Sequence, residues 1–306
     1  MNAPPGPRAA LVGLVAFFFT SMFWGANVPV TAVLFRTFDP YWMQVWRVAV
    51  GALALAAIVV MTQGGRALAI PISFARFVLL GLGISLFLLV YNVGLRYTNA
   101  ITAAAVMVGS PVYTALFLRV FSGTPFDKGF WVAALMTATG GTIAVLGRAD
   151  AGGQGLSLQG GEPFIVLSII FWTLYSLGAQ KWFAPGETQI RRTYVSTLSA
   201  VGCSAVLWGL FRLAGIAGPP NTEPGAEAVA MLVAISILAT AVGGVTWNIG
   251  VSRLGIAAGS LWQNAVPVFA VLISVAFGIH ATGQQILGGA IVMAGVAYMQ
   301  WRKFLG

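Results

Sequence analysis

Ten runs of apolar residues, each about as long as a bilayer-crossing helix, decide what this chain can fold into. A hydrocarbon core about 30 Å thick is crossed by about 20 helical residues, each adding about 1.5 Å. Runs of that size lie at 9–35, 40–61, 74–94, 98–120, 128–147, 163–183, 192–214, 226–249, 256–278 and 282–302. Lipid offers backbone N–H and C=O groups no water, so each run must close its own hydrogen bonds as a helix. The expected fold is an all-α integral membrane protein of ten transmembrane helices. Composition agrees, with 58% of the 306 residues hydrophobic and 8% charged. The first run is too long for a removable signal peptide and lacks a small-residue cleavage site, so it is read as span one. The longest connections, 148–162 and 214–227, are Gly- and Pro-rich and leave no room for a soluble domain.

A stretch that occurs twice sets the expected symmetry. Residues 91–113 read YNVGLRYTNAITAAAVMVGSPVY and residues 247–269 read WNIGVSRLGIAAGSLWQNAVPVF. Laid over each other without a gap, they pair Asn92 with Asn248, Gly94 with Gly250 and Pro111 with Pro267. Spans three and four therefore repeat as eight and nine, which makes each unit five spans long: 1–150 and 151–306. An odd number of spans sends the second unit into the membrane from the opposite side. The expectation is two inverted five-helix repeats around a central cavity, an architecture recurrent among transporters.

Charge fixes the expected orientation. The net charge of +9 comes from basic residues placed singly or in pairs at the ends of apolar runs, not in a stripe, so nucleic acid is not an expected partner. With ten spans both termini share one side. That side carries the larger share of Lys and Arg, including Arg8, Arg66, Arg76, Arg191, Arg192 and Arg253, which places both termini in the cytoplasm. The single cysteine, Cys203, excludes an intrachain disulfide and a cysteine zinc site.

The seven acidic residues all fall in loops or at span ends, and the single histidine, His280, falls in the last short turn and is read as a loop residue. No pairing of histidine with carboxylate suits general-base work, and no ligand set suits a metal, so neither an enzyme nor a cofactor is expected. Without a mid-membrane carboxylate, obvious proton or sodium coupling is disfavoured. Arg47 is the one ionised side chain inside a span. It is a site candidate, with snorkelling to the interface as the alternative.

Polar and aromatic residues at helical spacing mark further cavity-facing candidates. The full substrate-binding set is Trp24, Asn27, Met43, Gln44, Arg47, Tyr91, Asn92, Ser110, Tyr113, Trp172, Tyr175, Trp247, Asn248, Trp262, Gln263 and Asn264. Pro29, Pro111 and Pro267 are hinge candidates, the latter two at matching places in the repeat. Packing and hydrogen bonding between helices is the competing explanation for each such residue. Glycines in spans five and ten, among them Gly140, Gly141, Gly288 and Gly289, suit close helix packing instead.

The FWGAN of residues 23–27, Arg47 in span two, the short turns within the repeated stretches and the PVY and PVF prolines resemble the drug/metabolite transporter superfamily in its EamA-type branch. The likeness covers nearly the whole chain. One departure is that Gly123-Thr124 and Gly278-Ile279 lack the acidic residue that often follows glycine there. The resemblance implies a carrier of small organic solutes, commonly amino acids or related metabolites, moved outward across a bacterial inner membrane. Within the branch the chain is most similar to aromatic amino acid exporters. Other solutes, such as a nucleotide sugar or a drug-like cation, and a membrane scaffold outside transport remain alternatives.

Overall fold

The computed structural model describes residues 6–98, 100–127, 129–152, 159–276 and 281–305. Every regular element among them is helical: α1 (Pro7–Leu34), α2 (Pro40–Gln63), α3 (Phe74–Arg96), α4 (Ala100–Val108), α5 (Ser110–Ser122), α6 (Phe130–Gly152), α7 (Glu162–Lys181), α8 (Gln189–Leu213), α9 (Ala226–Ile235), α10 (Gly243–Leu254), α11 (Ile256–Gln263), α12 (Val266–Ala276) and α13 (Gly283–Leu305), with a 3-10 turn at Gly65–Leu68. A π-helical segment, Ser236–Val242, joins α9 to α10. His280 and the Gly278-Ile279 pair lie outside the described residues.

Eight helical stretches are long and apolar enough to cross a membrane, and the bent pair α4–α5 makes nine among the described residues. The run at 282–302 folds as α13, but Gln284, Gln285 and Gln300 lower its hydropathy, so it does not join that count. Large apolar side chains cover the outside of the bundle, including Leu53, Met61, Leu135 and Leu213. Such a surface is stable only against lipid.

Helix starts follow from local chemistry. Asp39 accepts from the backbone N–H of Tyr41 and Trp42 at 3.0 and 2.9 Å, capping α2. Thr188 caps α8 in the same way, accepting from Arg191 N at 3.2 Å. Proline occupies the first turn of α1, α2, α5 and α7, where its missing N–H costs nothing. Inside a helix the same deficit breaks the ladder. Pro111 and Pro267 each follow an interruption, at Gly109 between α4 and α5 and at Asn264 between α11 and α12. The first bends the pair by 49°. Pro29, by contrast, sits within an unbroken α1.

The packing pairs helices in opposite directions. Helix α2 runs against α8, with Tyr41 on Phe211 at one end and Gln63 accepting from Thr188 at 3.2 Å at the other. Helix α6 runs against α13, from Gly147 near Gln284 to Gly129 near Tyr298. Midway along that pair a Cβ on Gly140 would stand 2.6 Å from the Gly288 carbonyl oxygen, so only glycine allows this approach. Helices α1 and α10 cross with Phe17 against Gly250, and α3 and α7 cross with Ile165 against Gly94.

Candidate functional site

Aromatic rings from five elements meet at the middle of the bundle. Trp24 of α1 lies 5.4 Å from both Trp172 of α7 and Trp247 of α10, and those two are 5.5 Å apart. Phe87 of α3 and Tyr175 of α7 join at Trp172, and Phe17 joins Trp247 to Trp262. Tilted and edge-on contacts of this kind are favoured by the ring quadrupoles. Where the sequence leads one to expect open space, these rings touch.

Their polar edges are unequally satisfied. The Trp247 indole N–H donates to Ser176 Oγ at 3.1 Å, and the Trp24 indole N–H donates to the Ala239 carbonyl at 3.0 Å. Ala239 lies in the π-helical segment, where widened turns displace carbonyls from the usual ladder. The buried indole nitrogens of Trp172 and Trp262 and the hydroxyl of Ser110 have no partner among the described residues. A buried donor without an acceptor is costly, so each of these marks a place where a bound solute could gain a bond.

Arg47 stands one helical turn beyond Met43 and one turn before Gly51. Met43 is buried with Leu34, Phe38, Leu232 and Ala239, and Gly51 abuts Thr240 of the π-helical segment. This face of α2 is turned to the interior. The Arg47 Nε is enclosed and unbonded, and the guanidinium forms no hydrogen bond or ion pair among the described residues. The described acidic side chains keep to loops and helix ends, as Asp39 and Glu162 illustrate.

A polar lock lies nearer the end that carries the chain's N-terminus. Fully buried Asn248 of α10 donates to the Tyr175 hydroxyl and to Thr193 Oγ1, both at 2.9 Å, and Gln180 approaches its side-chain oxygen at 3.4 Å. Towards the other end a gap of about 20 Å³ opens between α2, α3 and α8, lined by residues including Tyr41, Gln44, Ser85, Asn92, Ser204 and Trp208. That is room for about one water molecule.

Asn264, Tyr113 and Gln263 fall around the helix breaks, whereas Asn27 and Tyr91 lie in continuous helices. Asn264 donates to the Val108 carbonyl at 2.9 Å, so the interruption in one broken span satisfies the interruption in the other. Tyr113 places its hydroxyl beside Gly109, Gln263 ends α11 half-buried, and Asn27 accepts from Thr31 at 3.0 Å. Tyr91 is half-buried on α3 beside Asn92. Sequence reasoning did not single out Thr193, Gln180, Phe17, Phe87 or Trp208. Arg192, expected only to orient the chain, is buried and donates to the carbonyls of Ala179, Gln180, Ala184 and Glu187.

A helical bundle with an apolar outside and an aromatic, partly unsatisfied centre defines a multi-pass membrane protein. The chain belongs to the EamA-like transporter family, whose model matches residues 11–146 and 159–301. It is 25% identical over 284 residues to the uncharacterized transporter YyaM of Bacillus subtilis (strain 168), covering 90% of this chain and 89% of that one. A second relative from the same organism, the uncharacterized transporter YrdR, is 21% identical over 300 residues, covering 93% and 90%. A solved crystal structure superposes over 95% of both chains with a TM-score of 0.76 at 23% identity, which shows a shared fold.

Proposed function

We propose that this transporter is an alternating-access carrier that moves amino acids with aromatic or apolar side chains, and related metabolites, out of the cell. The observation that carries the reading is Arg47: an ionised group inside a span, on an interior face, with no carboxylate among the described residues answering it. A solute carboxylate would supply the missing partner with charge-assisted bonds. The half-buried rings of Trp24 and Trp172 offer surface for the side chain, and neutral amides such as Asn27 and Asn92 suit an ammonium group without demanding a fixed cation. A nucleotide sugar would call for several bases at the centre, and a cation for an acid.

Alternation is supported by the packing. If the chain is two units, 1–150 and 151–306, with ten spans and opposite orientation, corresponding helices should cross antiparallel, as α2 does with α8 and α6 with α13. The Asn264–Val108 bond fits as well, because the two residues are 156 apart and hold the same position in the repeated stretch. By the distribution of basic residues both termini face the cytoplasm of a bacterial inner membrane.

Full-length protein in liposomes, offered a panel of radiolabelled tryptophan, phenylalanine, leucine, lysine and a nucleotide sugar, tests this directly. Uptake of the aromatic and apolar amino acids in exchange for internal solute is expected. Replacing Arg47 by alanine should lower that uptake at least tenfold, since a desolvated charge-assisted bond is worth about 1.5–3 kcal/mol. Uptake confined to lysine or to the nucleotide sugar, or an Arg47→Ala protein as fast as the parent, overturns it.

A further inference from the structure

The lock around Asn248 has a counterpart elsewhere in the chain that is not locked. The repeated stretch makes Asn92 the equivalent of Asn248. The Phe-Trp pairs at 23–24 and 171–172 align α1 with α7, which makes Asn27 the equivalent of Tyr175. The two capping residues, Asp39 and Thr188, align α2 with α8, which makes Gln44 the equivalent of Thr193. Contacts obey the same register: Phe17 meets Gly250 as Ile165 meets Gly94, and Trp24 lies beside Gly243 as Trp172 lies beside Phe87.

The two sets are in different states. Asn248 holds Tyr175 and Thr193 together at 2.9 Å, fully buried, and so ties α10 to α7 and α8. Asn92 and Gln44 instead face each other across the gap between α2, α3 and α8, and neither makes a hydrogen bond among the described residues. Asn27 is occupied within its own helix by Thr31. One end of the transport path is latched and the equivalent end is not.

We infer that Asn92, with Gln44 and Asn27, is the second latch of this transporter: when the Asn248 latch opens, Asn92 bridges α3 to α2 and α1 and seals the opposite end. This rests on the alternating-access reading above. The physical demand is that the two latches cannot both be open without a continuous leak, and that each is assembled from one asparagine reaching two other spans. Amide side chains suit the task because each can give and take hydrogen bonds without carrying a charge into the lipid.

Full-length protein in liposomes, with Cys203→Ser as background, carries single reporter cysteines at two equivalent positions, Leu89→Cys in the gap and Val245→Cys beside the closed latch. Each is labelled with a membrane-impermeant maleimide from its own side. The background should label Leu89→Cys faster than Val245→Cys. Adding Asn248→Leu should raise Val245→Cys labelling and lower Leu89→Cys labelling, each by roughly tenfold, because two buried bonds are lost from one state only. Adding Asn92→Leu should keep Leu89→Cys open even with transported solute present, and should slow exchange. Unchanged labelling in an Asn248→Leu protein that still elutes as a folded monodisperse species, or Asn92→Leu exchange at the parent rate, overturns the second latch while leaving alternation standing. Reporters that label together in every variant, with or without solute, overturn alternation itself.

Discussion

At the scale of single residues, the decisive distinction is between polar groups that have found partners and those that have not. Arg192 and Arg47 show it well, since both are arginines in apolar runs. Arg192 closes the turn between α7 and α8 by donating to four carbonyls, those of Ala179, Gln180, Ala184 and Glu187. Arg47 donates to none among the described residues. The first is structural and the second is available. Arg192→Met keeps the apolar stem but strands those carbonyls, and should destabilise the protein by about 2–3 kcal/mol, read as a lowered melting midpoint in detergent, while leaving the transported solute unchanged. A shift in solute preference instead would show that Arg192 belongs to the transport path. Sequence reasoning placed Arg47 inside a span as a site candidate and Arg192 at a span end as an orienting charge, but could not foresee Arg192's structural role, because the carbonyls that Arg192 meets are set by a turn, not by its neighbours in the chain.

At the scale of elements, breaks and crossings carry the argument. Proline foretold the interruptions at Gly109 and Asn264, and the structure adds that the Asn264 side chain satisfies the Val108 carbonyl freed at the first of them. The π-helical segment was not foretold. Its sequence, SILATAV, carries neither glycine nor proline and reads as ordinary helix. The neighbourhood accommodates the wider turn, because Thr240 packs onto side-chain-free Gly51 and the Trp24 indole N–H donates to the Ala239 carbonyl. The glycines of α6 and α13 were read as a close-packing surface, and Gly140 and Gly288 do meet backbone to backbone. Gly140→Val should force that pair apart and cost on the order of 1–3 kcal/mol or more, since two rigid backbones cannot yield as a flexible side chain could. The check is a thermal melt, with Gly209→Val, where a Cβ meets nothing, expected to change it by less than a quarter as much.

At the scale of the whole molecule, the distribution of charge bears on energy coupling. A proton- or sodium-driven carrier keeps an ionisable acid on its path, and the described carboxylates here are spent on caps and turns: Asp39 on α2 and on the Gly218 N–H, Glu187 on Arg191, Glu162 on Thr98. In liposomes carrying a pH or sodium gradient and no solute gradient, internal solute should therefore rise to the external level and stop there. Accumulation above it would identify a coupling ion held by backbone oxygens.

The sequence by itself determined the helical, membrane-embedded architecture, the repeated stretch and the family, because apolar length and residue spacing are properties of consecutive positions. It also named most of the aromatic residues that meet at the centre. Only the tertiary structure decided which of them touch, that Asn248 is hydrogen-bonded to Tyr175 and Thr193 while Asn92 makes no hydrogen bond among the described residues, and that a π-helical turn lies in the run at 226–249. Those outcomes depend on what a side chain meets from helices far away in the chain. Two asparagines in identical local sequence positions can therefore end in opposite states.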